Sequence, residues 1–386
     1  MQFLLGYLFC SLLLFYSSLN SLLKISIESK IKNIKAGERV VLSRKLLAFI
    51  VLLVTGIFLI ACNDEQNTSS TEASDKITLT YAFFAPDSTF PAVQMKKWAE
   101  ELESRTDGQV EVEMFFGGSL LEANNMLEGV KNGTADIGLT STSYEPGRFP
   151  LMEISDLPSG YPNSKVASQV VNDLMKEYPP EALEDFKTIT AFATELAYIQ
   201  SLDPISHLEE LRGKQLRISG GLTPVMEALG ASPVGMSQAE APEALQTGVI
   251  EGNVSSREVL MDFRLAESAK YVTDYPLTIT SFVAVMNKDT WESLPDHVKE
   301  VIDELRDEMS VFTGQYLDDH VEESMKWSEE SENLEVISLS EEEKEQWNTK
   351  LEEIQDNKVE EVNNQGLPGS EYKDRLYELI DKYSKQ

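Results

Sequence analysis

Between residues 77 and 287, short apolar runs with a two-residue period alternate with amphipathic segments of helical period. No other feature restricts the fold as tightly, because strands separated by helices close into a parallel or mixed sheet. ITLTYAFF (77–84), QVEVEMFF (109–116) and ADIGLTS (135–141) read as strands. FPAVQMKKWAEELESRT (90–106), with Val93, Trp98 and Leu102 inward, and EANNMLEGVKNG (122–133) read as the intervening helices. The rhythm restarts at KTITAFATE (187–195) and continues through KQLRIS (214–219), LTPVMEALG (222–230), ASPVGM (231–236), SQAEAPEALQTG (237–248) and VIEGNV (249–254). ITSFVAVMN (279–287) is an apolar strand placed to cross back to the first unit. Val298, Ile302, Leu305, Met309, Phe312 and Tyr316 then mark a long helix, and 340–363 carry a weaker stripe. With 386 residues and 42% hydrophobic content, two lobes are expected rather than one.

The first 61 residues stand apart from this pattern. LLAFIVLLVTGIFLIA (46–61) follows Arg44-Lys45 and ends at Cys62. It matches the core of an export signal better than a membrane span of about 20 apolar residues. Leu59-Ile60-Ala61-Cys62 resembles the lipobox of bacterial lipoproteins, which implies lipidation at Cys62 and retention on the outer face of the cell membrane. The polar run to residue 76 reads as a tether. Upstream, 1–23 hold a second apolar stretch and 24–41 a basic join, and two signals in series make little physical sense. Ala36-Gly37-Glu38-Arg39 can be encoded by a purine-rich ribosome-binding site. The expectation is therefore that Leu42 is read from a TTG start codon and that 1–41 are not translated.

Residues 62–386 contain 26 basic and 63 acidic side chains, a formal charge of −37. Such a surface repels nucleic acid. Cys10 and Cys62 are the only cysteines, so no disulfide is expected beyond residue 62. His207, His297 and His320 are scattered without metal-ligand spacing. No phosphate-cradling glycine loop, nucleophile elbow or dinucleotide fingerprint is present. No metal, cofactor or catalytic residue is expected, and paired acids such as Glu100-Glu101 read as solvated helix faces. A pair of α/β lobes without catalytic groups suits a solute receptor, whose crevice closes on a small molecule.

One stretch breaks the acidic trend. GKQLRISGG (213–221) places Arg217 inside a short apolar strand that runs into two glycines. Such an arginine is either a solvated strand residue or a group that catches an anion. Leu216 and Ile218 fall on one face, with Gln215, Arg217 and Ser219 on the other.

Residues 108–287 resemble the solute-binding proteins of tripartite ATP-independent periplasmic (TRAP) transporters. GQVEVEMFFGGSLLEANNMLEGVKNGTADIGL, PGRFPLMEISDLP, SFVAVMNKDTWESLP and above all LRGKQLRISGGLTPVMEALGASPVGMSQAEAPEALQTGVIEGN carry the likeness. It implies a two-lobed periplasmic-binding-protein-like α/β fold with mixed sheets, hinge strands and long C-terminal helices. It also implies that Arg217 grips a substrate carboxylate, to which a guanidinium can make two parallel hydrogen bonds. Gly220 and Gly221 would let ligand or facing backbone approach the strand end. Phe84 in the loop 84–90, and the run from Ser141 to Tyr144, follow strands where a cleft would be lined. Ser255 lies where many relatives carry a ligand-facing Asn-Pro, and that asparagine is absent. A second arginine found in sialic-acid-binding members would fall near Ala197 and Tyr198 and is also absent. Arg148 could supply charge or hold its own loop.

The expected organisation is lobe 1 from 77–195 and 281–322, and lobe 2 with the C-terminal helices from 196–280 and 323–386. The resemblance implies a monomeric receptor for a small organic acid, with a small and a large membrane permease subunit as partners. A sensor lipoprotein serving a signalling receptor is the alternative, and a hydrolase a distant third.

Overall fold

A computed structural model describes residues 76–386. The start-site, signal and lipidation expectations for 1–62, and all of the tether before residue 76, lie outside the described residues. The strands of the first half are β1 (Ile77–Phe83), β2 (Val110–Phe115), β3 (Ile137–Ser141), β4 (Phe186–Ala193), β5 (Tyr198–Ser201) and β6 (Gln215–Ile218). They are followed by β7 (Ser232–Gly235), β8 (Gly252–Ser255), β9 (Tyr271–Asp274), β10 (Ser281–Asn287) and β11 (Glu335–Ser338). Two mixed sheets result, in the orders β2-β1-β3-β10-β4 and β11-β9-β5-β8-β6-β7. This is a two-lobed α/β architecture.

Strand patterning follows position. β1 pairs in parallel with β2 and β3, as the helices Phe90–Arg105 and Met126–Lys131 between them require. β10 runs antiparallel between β3 and β4, and its residues 281–286 are all buried, which is why it reads as an unbroken apolar run. The first core collects these strands, Trp98 edge-on to Tyr81, and the inner side of the 37-residue helix Asp296–Glu332. A second core forms around Leu216, Ile218, Val225, Met226 and Trp347.

The polypeptide passes between the sheets after β4, again after β9 and a third time along the helix Asp296–Glu332 to β11, and the first two crossings pair with each other. Thr194 N donates to Thr280 O at 3.1 Å, Ala197 N to Thr278 O at 2.6 Å and Leu277 N to Ala197 O at 2.9 Å. Asp156, buried at the end of helix Pro150–Asp156, pins this hinge. Its carboxylate accepts from Ser143 Oγ at 2.7 Å and from Ser281 Oγ, and its carbonyl accepts from Ile279 N. Burial pushes its carboxyl up to about 7, against the lowering effect of the serine hydroxyls.

One feature of the C-terminal half differs from expectation. The helices Ile354–Asn364 and Gly369–Ser384 were expected in lobe 2, yet Val359, Val362, Tyr372, Leu376 and Leu379 join the first core. The reason is packing: these helices lie on Pro150–Asp156 and Ser164–Glu177, and Tyr372 Oη sits 3.1 Å from Ser155 Oγ. Between β3 and β4 the chain forms two helices, Pro150–Asp156 and the strongly amphipathic Ser164–Glu177.

Gly314 marks the tightest helix crossing. A Cβ there would stand 2.5 Å from Lys165 Cα and 2.7 Å from Ser164 O, while Asp318 accepts from Ser164 N at 2.7 Å. Alanine is the better helix former by about 1 kcal/mol, but overpacking against backbone costs about 1–3 kcal/mol. Gly314→Ala is therefore expected to destabilise the protein, which a lowered urea midpoint would show. Asp156 gives a pH prediction with a definite sign. Its folded pKa lies above the ordinary 3.8, so the stability it contributes is present at low pH and is lost as pH rises toward 7. Between pH 5 and 7 the stability of wild type relative to Asp156→Asn should fall by roughly 2–3 kcal/mol. A pH-independent difference in denaturation free energy would refute it.

Candidate functional site

Arg217 projects from β6, which is flanked in parallel by β7 and β8 with Arg217 opposite Val234 and Asn253. Its strand neighbours Leu216 and Ile218 enter the second core, so alternation turns the guanidinium toward the first lobe's side. Arg217 is 2% exposed. Nε and Nη2 donate to Met236 O at 3.0 and 2.9 Å, and Nη1 donates to Gln238 Oε1 at 2.6 Å. Behind it, Asn253 Oδ1 lies 3.5 Å from Nη1, and Asn253 is itself held by Gln200 at 3.0 Å. Among the described residues no carboxylate pairs with Arg217, while most other arginines do have such a partner. Burial pulls its pKa down and the nearby Tyr144 oxygen opposes the shift. A buried cation without a counter-charge is costly, so this geometry asks for an anion.

A small pocket opens at the guanidinium between the lobes. Phe84, Phe90, Tyr144 and Phe282 supply its wall from the first lobe, and Arg217, Gln238, Ser255 and Glu258 line it from the second. Phe84 packs edge-on to Tyr144 at 5.3 Å and nearly parallel to Phe282 at 6.5 Å. Tyr144 Oη accepts from Gln238 N at 3.0 Å, a direct bond between lobes beside Arg217.

Of the residues singled out in the sequence, Arg217, Phe84, Tyr144 and Ser255 come together at this pocket. Ser141 and Gly220 do not line it. Ser141 Oγ is occupied in accepting from Ser143 N at 3.2 Å, capping the turn that carries Tyr144. Gly220 and Gly221 admit facing backbone: added Cβ atoms would stand 3.2 Å from Pro146 Cγ and 3.4 Å from Ser143 Cα. These glycines let the lobes meet. Arg148 pairs with Glu145 in its own loop. Near Ala197 and Tyr198, where no arginine stands in the sequence, Arg257 lies 4.2 Å over the Tyr198 ring and is held by Glu195 of the hinge.

Sequence reasoning missed Gln238, Glu258, Asp262, Phe90 and Phe282. Gln238 reads as an ordinary helix start, and Glu258 is one acid among 65. Glu258 is buried, its Oε1 accepts from Ser256 Oγ at 2.7 Å, and desolvation pushes its carboxyl up to about 8. Asp262 Oδ1 lies 2.8 Å from His320 Nε2. Burial raises Asp262, while the hydrogen bond to Asp262 raises His320.

The fold agrees with what is found among known proteins. Residues 82–361 match the family model described as bacterial extracellular solute-binding protein, family 7. A TRAP periplasmic solute-binding protein of Desulfovibrio salexigens is 39% identical, with a TM-score of 0.70 over 80% of this chain and 97% of that one. It was solved as an open complex with the C-terminus of a symmetry mate in its ligand-binding site. A marine-metagenome TRAP protein specific for aromatic acid ligands, holding metahydroxyphenylacetate, is 28% identical with a TM-score of 0.75, covering 80% of this chain and 99% of its own. The C4-dicarboxylate-binding periplasmic protein of Rhodobacter capsulatus is 24% identical over 69% of this chain and 81% of its own length. With the family model spanning most of both lobes, the chain belongs to family 7 of the bacterial extracellular solute-binding proteins, the DctP family.

Proposed function

We propose that this protein is the extracytoplasmic receptor of a TRAP transporter. It binds a small organic acid in the interlobe pocket through Arg217 and delivers it to a permease of one small and one large membrane subunit. The observation that carries the reading is the buried Arg217 guanidinium without a carboxylate partner. A ligand carboxylate supplies the missing charge and accepts from the donors left over at Arg217 and Gln238. The relatives support the ligand class: a polypeptide C-terminus, an aromatic acid and C4-dicarboxylates all present a carboxylate. The hinge crossings and the Tyr144–Gln238 bond suit a cleft that opens to admit the acid and closes over it. Cys62 is the lipidation site in this reading, holding the receptor at the membrane through the tether.

Titration calorimetry of the purified protein against small carboxylic acids, benzoate among them, tests the site. Arg217→Ala should weaken binding at least ~100-fold, about 3 kcal/mol. Arg217→Lys should weaken it less, because an ammonium keeps the charge but cannot reproduce the two-pronged contact. An Ala variant that binds like wild type would overturn the proposal, provided thermal melting shows it folded. For the anchor, Cys62→Ala should abolish incorporation of labelled palmitate and move the protein from the membrane fraction to the soluble one. Unchanged labelling would exclude Cys62.

A further inference from the structure

Glu258 lines the pocket as a carboxyl group with no cation to balance it. It is 2% exposed, and among the described residues no lysine or arginine pairs with it. The neighbouring Arg257 turns its guanidinium to Glu195 and the Tyr198 ring instead. The charged groups around Glu258 are Asp262 at the end of the helix Val259–Asp262, Glu195 of the hinge, and His320 of the long helix, which stands between Asp262 and Glu323. Ser324 of that helix offers only a hydroxyl, donated to Arg257 O at 2.9 Å. Such surroundings do not support another buried negative charge, so Glu258 is a neutral acid, its carboxyl pushed by burial up to about 8. Oε1 accepts from Ser256 Oγ at 2.7 Å, which leaves the proton to Oε2. Oε2 is buried and has no hydrogen-bond partner among the described residues. A buried O–H without an acceptor is a cost that a bound molecule can remove.

We propose that Glu258 is a second ligand-binding group, a neutral carboxylic acid whose Oε2–H donates to an oxygen of the bound acid, so that the receptor binds its ligand together with one proton. This rests on the carboxylate-receptor reading above. Arg217 carries its charge at every pH between 6 and 9, whereas Glu258 supplies a donor only while it holds its proton. A hydrogen bond from a carboxylic acid to a carboxylate is charge-assisted and short. Once ionised, Glu258 has no proton to donate and repels the ligand's charge. Because the ligand favours the protonated form, affinity is full below about pH 7 and is lost as pH rises through about 8.

The test is titration calorimetry of the purified protein with benzoate, pyroglutamate and succinate at pH 6, 7 and 9, each in two buffers of different ionisation enthalpy, with thermal melting at each pH to show the protein folded. For the acid that binds most tightly, affinity should fall about tenfold from pH 7 to 9, and binding should take up about one proton at pH 9 and almost none at pH 6. This measurement needs no variant. Glu258→Gln, whose amide donates at every pH, should show a change of less than about threefold over the same range and no proton uptake. Glu258→Met, which has no donor, should be equally insensitive to pH and bind about tenfold more weakly than wild type at pH 7. Asp156→Asn and Asp262→Asn remove the other buried acids with raised pKa and should keep the alkaline fall. If an acid binds and Arg217→Ala abolishes it, but wild-type affinity is flat from pH 7 to 9, or the fall persists in Glu258→Gln or disappears in Asp156→Asn or Asp262→Asn, this inference is wrong and the receptor reading stands. If none of the acids binds at any pH, both are wrong.

Discussion

A guanidinium that is 2% exposed and has no carboxylate beside it among the described residues sets the terms for the rest of this molecule. The positive charge cannot be discarded, because arginine keeps its proton even where burial pulls its pKa down. It is therefore held in place by neutral acceptors: Met236 O takes two of its N–H groups and Gln238 Oε1 a third. Those acceptors fix the direction of the guanidinium without cancelling its charge, and the charge stays available at the pocket. The register of β6 between β7 and β8, and the Gln200–Asn253 bond behind them, provide the rigidity this requires.

The two lobes follow from the same need. An anion site works inside a low-dielectric cleft but must be reachable, so the wall facing Arg217 belongs to a second body joined by a hinge. The crossings after β4 and β9 are hydrogen-bonded to each other, and Asp156 fastens them to the turn that carries Tyr144. A change at the hinge is thereby a change at the pocket wall, since Ser143 lies next to Tyr144 and against Gly221. The long helix Asp296–Glu332, locked to Ser164–Glu177 at Gly314, backs the first lobe against which this movement is made.

The sequence showed most of the fold because its strands and helices differ in period over long runs. β1 to β4, β6 to β8 and β10 lie within or close to the segments that alternation marks. β5, β9 and β11 do not stand out because YIQS, YVTD and EVIS mix polar with apolar residues. The site was legible where composition made a residue conspicuous, as with one arginine in an apolar strand of an acidic protein. Glu258 and Asp262 were not, because an acidic residue is the commonest thing in this sequence and only burial separates these two from the solvated majority. Phe90 and Phe282 likewise read as helix and strand core, and they are core; the pocket borrows their exposed edges. Helices 354–384 were misplaced because an amphipathic stripe says that a face is buried but not against which lobe.

A protein this acidic that binds an acid has to solve a problem of range. Surface carboxylates act through water and salt, where charges farther apart than about 8–10 Å are largely screened. Arg217 acts across a few ångströms in a cleft from which water is displaced, where each interaction is stronger. Net charge thus governs how the protein behaves toward large polyanions, while in the proposed reading affinity for a small anion is set by Arg217, which has no carboxylate partner among the described residues. The same reasoning applies to Glu258, which also lines the pocket and whose carboxyl is neutral at pH 7 because burial raises its pKa to about 8. A protonated carboxyl there does not cancel the pull of Arg217 on an approaching anion. A pocket lined by a buried, neutral acid can still attract a carboxylate, which an ionised acid in so small a volume would oppose.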